Sequence, residues 1–166
     1  STFNVLQAAS DFGIRKVVVA SSLSALGVAY KTHPIQLDYL PIDEAHPPLA
    51  QDAYGLSKIV DEEVARGFAR LNPAMSIISL RLPLLANPGM IRRALKEGKH
   101  GHINAGELIL WSYLDVRDAA EVIYQSLVYD QPGHEVLYVN APDTYSETPT
   151  LDLIAQHFAD AELDHE

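Results

Sequence analysis

The run Val17-Val18-Val19-Ala20-Ser21-Ser22 decides the fold of this chain. Its β-branched apolar residues, bounded by turn signals, read as a short strand buried on both faces. Strands of that kind belong to parallel sheets whose faces are covered by helices. The strand runs into Ser21-Ser22-Leu23-Ser24-Ala25-Leu26-Gly27. In open α/β sheets ligands gather at the carboxyl ends of the strands, so Ser21, Ser22 and Ser24 are better placed for chemistry than serines elsewhere. The alternative for these small polar residues is a turn without a chemical role.

Upstream, Phe3, Leu6 and Ala9 recur at helical spacing until Gly13 stops the run. The chain opens on Ser1, so this helix reads as one entered partway along and the chain as a fragment of a longer protein. Downstream, residues 28–51 carry Pro34, Pro41, Pro47 and Pro48, a loop long enough to act as a flap beside a site. His46, between Glu44 and Pro47, reads as a surface turn residue. From Asp52, a candidate N-cap, Leu56, Val60, Val64 and Phe68 repeat at four-residue spacing, with Ile59 and Leu71 widening the stripe. That stripe is expected to pack on the sheet, and Asp61-Glu62-Glu63 to form a solvated helix face.

Residues 75–82 read as a second apolar strand ended by Pro83. Residues 90–99 read as an amphipathic helix whose Arg92, Arg93, Lys96 and Lys99 form a surface rather than a phosphate site. His100-Gly101-His102 has two imidazoles without further ligands, so no metal is expected. Residues 108–114 read as an extended edge containing Trp111. Asp118 is expected to cap the next helix, residues 135–139 to form a strand, and Thr148-Pro149 to start a last helix. Strands and helices therefore alternate, which predicts an α/β sheet with helices on its faces.

Inside the helix begun at Asp52 stands Tyr54-Gly55-Leu56-Ser57-Lys58. Residues four apart stack on one helix face, so the phenol and the ammonium point into the same space. A neighbouring cation favours phenolate, which makes the two a candidate proton-transfer pair. The same spacing also occurs on ordinary helix surfaces. A hydroxyl brought in from a strand end, Ser22, is what would turn spacing into chemistry.

Composition narrows the classes. The 166 residues include 12 Lys+Arg against 22 Asp+Glu, a net charge of -10, and no cysteine. An acidic surface repels phosphate backbones, so no nucleic-acid partner is expected. No apolar run is long enough to span a membrane, and disulfides and thiolate metal sites are excluded. The expectation is a cytoplasmic globular protein. No G-x-G-x-x-G turn occurs, and such a turn is what would hold a dinucleotide pyrophosphate on a helix N-terminus.

Taken in order, Ser1-Thr2-x-Asn4-Val5-Leu6-x-Ala8-Ala9, Val17 to Ser22, Tyr54-x-x-x-Lys58 and Arg81-Leu82-Pro83 resemble the extended branch of the short-chain dehydrogenase/reductase superfamily, the NAD(P)-dependent epimerase/dehydratase group. The resemblance covers nearly the whole chain. It implies part of a Rossmann-like parallel sheet with flanking helices over residues 1–83. Residues 84–166 would form a small substrate-binding region interleaved with the last sheet elements. It further implies that the glycine-rich turn lies upstream of Ser1 and that the cofactor is NAD or NADP.

By the same resemblance Tyr54 matches the acid/base, Lys58 the lysine that lowers its pKa and holds the nicotinamide ribose, and Ser22 the hydroxyl that orients the substrate oxygen. Ser21 and Pro83 would lie beside the cofactor, and Ser24, Leu84 and Trp111 beside a sugar-like substrate. The helix of Tyr54 and Lys58 would pair two copies into a homodimer, with Ile59 and Phe68 reaching the partner unless they pack on their own sheet. Departures narrow the activity. Leu23 and Ser24 stand where the sugar dehydratases carry an Asp-Glu pair, which disfavours dehydration. Leu84 and Trp111 stand where nucleotide-sugar epimerases carry Asn and Arg, which makes a simpler sugar or sugar acid competitive. The competing view is a truncated, non-catalytic α/β fragment that lacks the cofactor site and serves only as a stable core or association module.

Because these residues contain no pyrophosphate cradle, the isolated chain is expected to bind NAD(H) and NADP(H) weakly or not at all. Titration calorimetry checks this, and a micromolar dissociation constant would contradict it.

Overall fold

The computed structural model describes residues 1–97 and 106–163. Lys99 and His100-Gly101-His102 lie outside the described residues, as does the side chain of Lys96. In chain order the elements are α1 (Thr2–Asp11), β1 (Lys16–Ser22), a 3-10 turn (Leu23–Leu26), β2 (Tyr39–Leu40), α2 (Ala53–Leu71), β3 (Ser76–Leu82), β4 (Leu84–Ala86) and α3 (Pro88–Glu97). A second 3-10 turn (Glu107–Ile109), β5 (Tyr113–Asp115), α4 (Val116–Val128), β6 (Gly133–Tyr138), α5 (Thr150–His157) and β7 (Glu162–Leu163) follow.

The main sheet is parallel in the order β1-β3-β6, with Val19 opposite Ser79 and Ser79 opposite Val136. Two short parallel ladders, β2 with β7 and β4 with β5, form separate two-stranded sheets. The α/β reading is thus the observed one, and β6 returns from the second half of the chain to join the sheet. Leu6 and Ala9 of α1, Val19 of β1, Ala65, Phe68 and Ala69 of α2, and Met75 and Ile77 form the core on one face. A second cluster, Leu23, Leu26, Val28, Leu37 and Leu40, packs with residues of α5 beyond the strand ends.

The apolar repeat of α2 packs only in part: Phe68 is in the core and Val64 lies against it, but the positions nearer the start of the helix turn outward. Leu56, Val60 and Leu71 are exposed, whereas Gly55, Glu62, Ala65, Phe68 and Ala69 are buried. Small side chains at 55, 65 and 69 let the helix approach closely, and volume decides the face where hydrophobicity is available on two sides. Glu62, expected in solvent, is 3% exposed.

His46, expected at the surface, is 1% exposed. Its Nε2 accepts from the Asp38 N–H at 3.1 Å, Nδ1 lies 3.1 Å from the Pro47 carbonyl oxygen, and its ring lies 5.0 Å from that of Tyr39. The imidazole satisfies backbone groups that a proline-rich loop cannot pair by itself, which is why it is drawn inside.

Residues 108–114 are not one extended strand. The 3-10 turn is followed by Leu110 and Trp111 with φ of 54° and 50°, and only Tyr113–Asp115 is extended. The Trp111 N–H reaches back to the Gly106 carbonyl at 2.9 Å. A side chain at Gly106 would meet the Trp111 indole at 2.6 Å, so the glycine admits the fold-back. Asp115, not Asp118, caps α4, accepting from the Arg117 N–H at 2.8 Å. The Arg117 guanidinium and that N–H together hold the Asp115 carboxyl down at about 2. Helix α5 begins at Thr150, and Pro149 precedes it without a side-chain cap.

Between β3 and β6, His134 Nε2 lies 2.9 Å from Ser79 Oγ, and burial, with Arg66 nearby, pushes the imidazole pKa down. The unfolded chain then takes up the proton first, at the ordinary histidine value of about 6.5. The His134 contribution is complete above that value and is lost as pH falls towards the lower folded pKa. Urea unfolding of the protein and of His134→Gln on both sides of that window checks this: the variant is expected to lose less stability on acidification.

Candidate functional site

At the carboxyl ends of β1 and β3 the chain encloses a cleft of about 420 Å³, lined by Ser22, Leu23, Ser24, Ala29, Tyr30, Asp52, Tyr54, Leu82, Pro83, Leu84, Leu108 and Ile109. Three local devices place its polar groups. Ser22 ends β1 in extended geometry, and its Oγ accepts from the Ser24 N–H at 3.1 Å, which opens the 3-10 turn. That bond uses an oxygen lone pair, so the hydroxyl proton is the part Ser22 can offer the cleft. Asp52 Oδ1 accepts from the N–H groups of Tyr54 and Gly55 at 2.8 and 2.9 Å. This is the expected N-cap, and it starts α2 at the cleft wall.

Gly55 is the third device. A Cβ there would lie 2.6 Å from both the Ser24 carbonyl oxygen and Ala50 Cβ. The first turn of α2 is therefore seated directly on the backbone of the serine turn, which carries Tyr54 over the strand end. Tyr54 is half exposed, with the Tyr30 ring edge-on at 6.2 Å. One turn along, Lys58 Nζ sits 5.5 Å from the Tyr54 ring centroid and donates to the Ala20 carbonyl at 2.8 Å.

The sequence-derived residues separate accordingly. Ser22, Ser24, Tyr54, Pro83 and Leu84 meet in the cleft, and Lys58 stands next to Tyr54. Ser21 does not line it: this buried hydroxyl donates to Glu62 Oε1 at 2.6 Å. Trp111 lines a separate apolar cavity of about 330 Å³ with Leu40, Leu110, Leu153, Ile154 and Phe158.

Below the cleft lies a buried polar cluster that the sequence reading missed. Arg81 gives Nε to Glu62 Oε1 at 3.0 Å and Nη2 to Oε2 at 2.8 Å, and Nη1 donates to the Tyr138 hydroxyl at 3.1 Å. Burial opposes the Arg81 charge, but the Glu62 carboxylate outweighs it and the pKa is raised. Burial pushes the Tyr138 phenol up, so it stays neutral. Two signals pointed this way. Glu62 stands one turn beyond Lys58 on the face of Tyr54, and an arginine inside an apolar strand needs an anion.

A model of the NAD dependent epimerase/dehydratase family matches residues 1–139. The chain belongs to that family. A putative UDP-glucose 4-epimerase of Methanocaldococcus jannaschii is 41% identical over 70 residues, which is 42% of this chain and 21% of that protein. A UDP-glucose 4-epimerase of Cyamopsis tetragonoloba is 36% identical over 81 residues, 49% of this chain and 21% of its own. The Bacillus cereus UDP-N-acetylglucosamine 4-epimerase structure superposes with a TM-score of 0.64 at 21% identity, covering 99% of this chain and 58% of that one. A UDP-galactose 4-epimerase structure gives 0.60 at 28%, covering 93% and 50%. The chain thus spans about half the length of these family structures, and the Rossmann-like reading holds.

In an ordinary helix Gly→Ala stabilises by about 1 kcal/mol. At Gly55 the new methyl must displace backbone, so Gly55→Ala is expected to destabilise by about 1–3 kcal/mol instead. Chemical denaturation reads the sign, and a stabilised variant would refute the close seating of α2 on the serine turn.

Proposed function

We propose that the full-length protein is an NAD(P)-dependent epimerase or dehydrogenase acting on a hydroxyl/carbonyl carbon of a sugar, sugar acid or nucleotide-sugar. The observation that carries this reading is the meeting of Ser22 and Tyr54 in one cleft with Lys58 beside the phenol. The fit to the reactive end of a dinucleotide rests on the two kinds of wall. Tyr54 offers a hydroxyl to a ribose, with the Lys58 ammonium 5.5 Å from its ring centroid, and Leu82, Pro83 and Leu84 offer an apolar surface to a flat ring.

When bound, the nicotinamide takes up or returns a hydride. The protein's own residues handle the proton. Tyr54 removes it from the substrate hydroxyl as the carbonyl forms and returns it in the reverse step. Ser22 holds the same oxygen through its hydroxyl proton, and Lys58 keeps a positive charge at the phenol. Ser24 and Leu84 border the substrate, while Ser21 and Trp111 lie outside the cleft. Among the described residues the Leu84, Leu108 and Ile109 side of the cleft is apolar, which supports a compact sugar or sugar acid within this range.

A second element of the reading concerns association. Among the described residues no helix is long and apolar enough to cross a membrane, while Leu56 and Val60 on α2 face outward. These two, rather than the core residue Phe68, would carry a homodimer contact.

The test uses the full-length protein with NAD+ and NADP+ against UDP-glucose, UDP-N-acetylglucosamine, glucuronate and galacturonate, followed by nicotinamide absorbance and product analysis. Tyr54→Phe is expected to lower turnover by about 10²-fold or more while the melting temperature holds. Near-native turnover in that variant would remove Tyr54 from the chemistry.

A further inference from the structure

We infer that Glu62 is a positioning residue for this site, fixing the register of α2 against the end of β1 through Ser21 and Arg81. The inference rests on the proposed oxidoreductase reading. Tyr54, Lys58 and Glu62 stand one turn apart on a single face of α2, and the last two hold successive residues of β1. Lys58 takes the Ala20 carbonyl at 2.8 Å and Glu62 takes the Ser21 hydroxyl at 2.6 Å. The next residue, Ser22, lines the cleft with Tyr54. Helix and strand are thus tied immediately below the place where their functional groups meet.

The remaining bonds make this tie rigid. Arg81 of β3 grips both Glu62 oxygens, and its guanidinium lies 5.0 Å from the Tyr138 ring centroid while Nη1 bonds that residue's hydroxyl. One carboxylate therefore connects α2 to β1 and β3 directly and to β6 through Arg81. It is thereby linked to all three strands of the main sheet. Glu62, Ser21 and Arg81 are each at most 4% exposed, so solvent does not compete for these bonds.

Stability alone is a poor account of such a cluster. Apolar residues of like volume often stabilise as well as or better than a buried ion pair. What they lack is direction, since apolar contacts tolerate small shifts while a carboxylate with three hydrogen bonds is fixed by their geometry. A misplacement of about 1 Å costs on the order of 10²-fold in rate. The cluster is where that precision is supplied.

The experiment measures kcat, KM and melting temperature in the full-length protein for Ser21→Ala, the double variant Glu62→Met with Arg81→Met, and Tyr54→Phe as reference. The double variant removes both charges at once and leaves no buried ion unpaired. Its expected signature is a kcat lowered about 10- to 100-fold with KM close to the parent, and a melting temperature lowered only as far as the Ser21 and Tyr138 hydroxyls left without these partners require. Ser21→Ala, which keeps the ion pair, is expected to lose kcat in the same sense by a smaller factor. If the double variant does not fold, Ser21→Ala decides by that criterion.

Parental kcat in a folded double variant, with Tyr54→Phe inactive, overturns the positioning role and leaves the oxidoreductase reading standing. An active Tyr54→Phe overturns both.

Discussion

The Glu62 carboxylate is the point on which the arrangement of this protein turns. It is a charge taken almost wholly out of water, and a helix that buries one must supply a counter-ion and fill its lone pairs. Arg81 and Ser21 do both, at 2.6 to 3.0 Å. Because its partners come from neighbouring strands, the requirement of one side chain becomes a constraint between elements. The parallel pairing of β1 with β3 brings Ser21 opposite Arg81, so the sheet register delivers the two partners side by side.

That constraint propagates to the cleft through short segments of backbone. From Glu62 the helix runs back through Lys58 to Tyr54, and from Ser21 the strand runs on to Ser22. The first turn of α2 is held by the Asp52 cap and rests on the Ser24 carbonyl, where only glycine fits at position 55. A tyrosine near a helix start and a serine at a strand end thereby acquire a fixed relation. Their relation to Lys58 is set by the same helix, and the Ala20 carbonyl holds its ammonium.

The second half of the chain closes the site by a different route. Leu110 and Trp111 adopt left-handed backbone, a conformation that costs on the order of 1–3 kcal/mol for such residues. The turn holds because Gly106 makes room for the indole and because Trp111 packs 5.1 Å from the His157 ring. Glu107 meets His157 Nδ1 at 2.7 Å, joining the turn to α5. Leu108 and Ile109 then face the cleft, while Leu110 and Trp111 wall the neighbouring apolar cavity.

The sequence by itself determined the kind of sheet, the strand that ends on serines, the Asp52 cap and the pairing of Tyr54 with Lys58. Each is a local property: β-branched runs, capping side chains and residues four apart on a helix act over a few positions. Tertiary structure decided where the apolar stripe of α2 stops packing: Val64 and Phe68 meet the core, while the equally apolar Leu56 and Val60 turn outward and the small residues Ala65 and Ala69 are buried in their place. It also decided that Glu62 is a buried partner rather than a solvated acid, that His46 serves the loop interior, and that Ser21 turns towards Glu62 while Ser22 stays in the cleft. In each case the partner lies far along the chain, and a polar side chain's role depends on which donor or acceptor folding brings within reach.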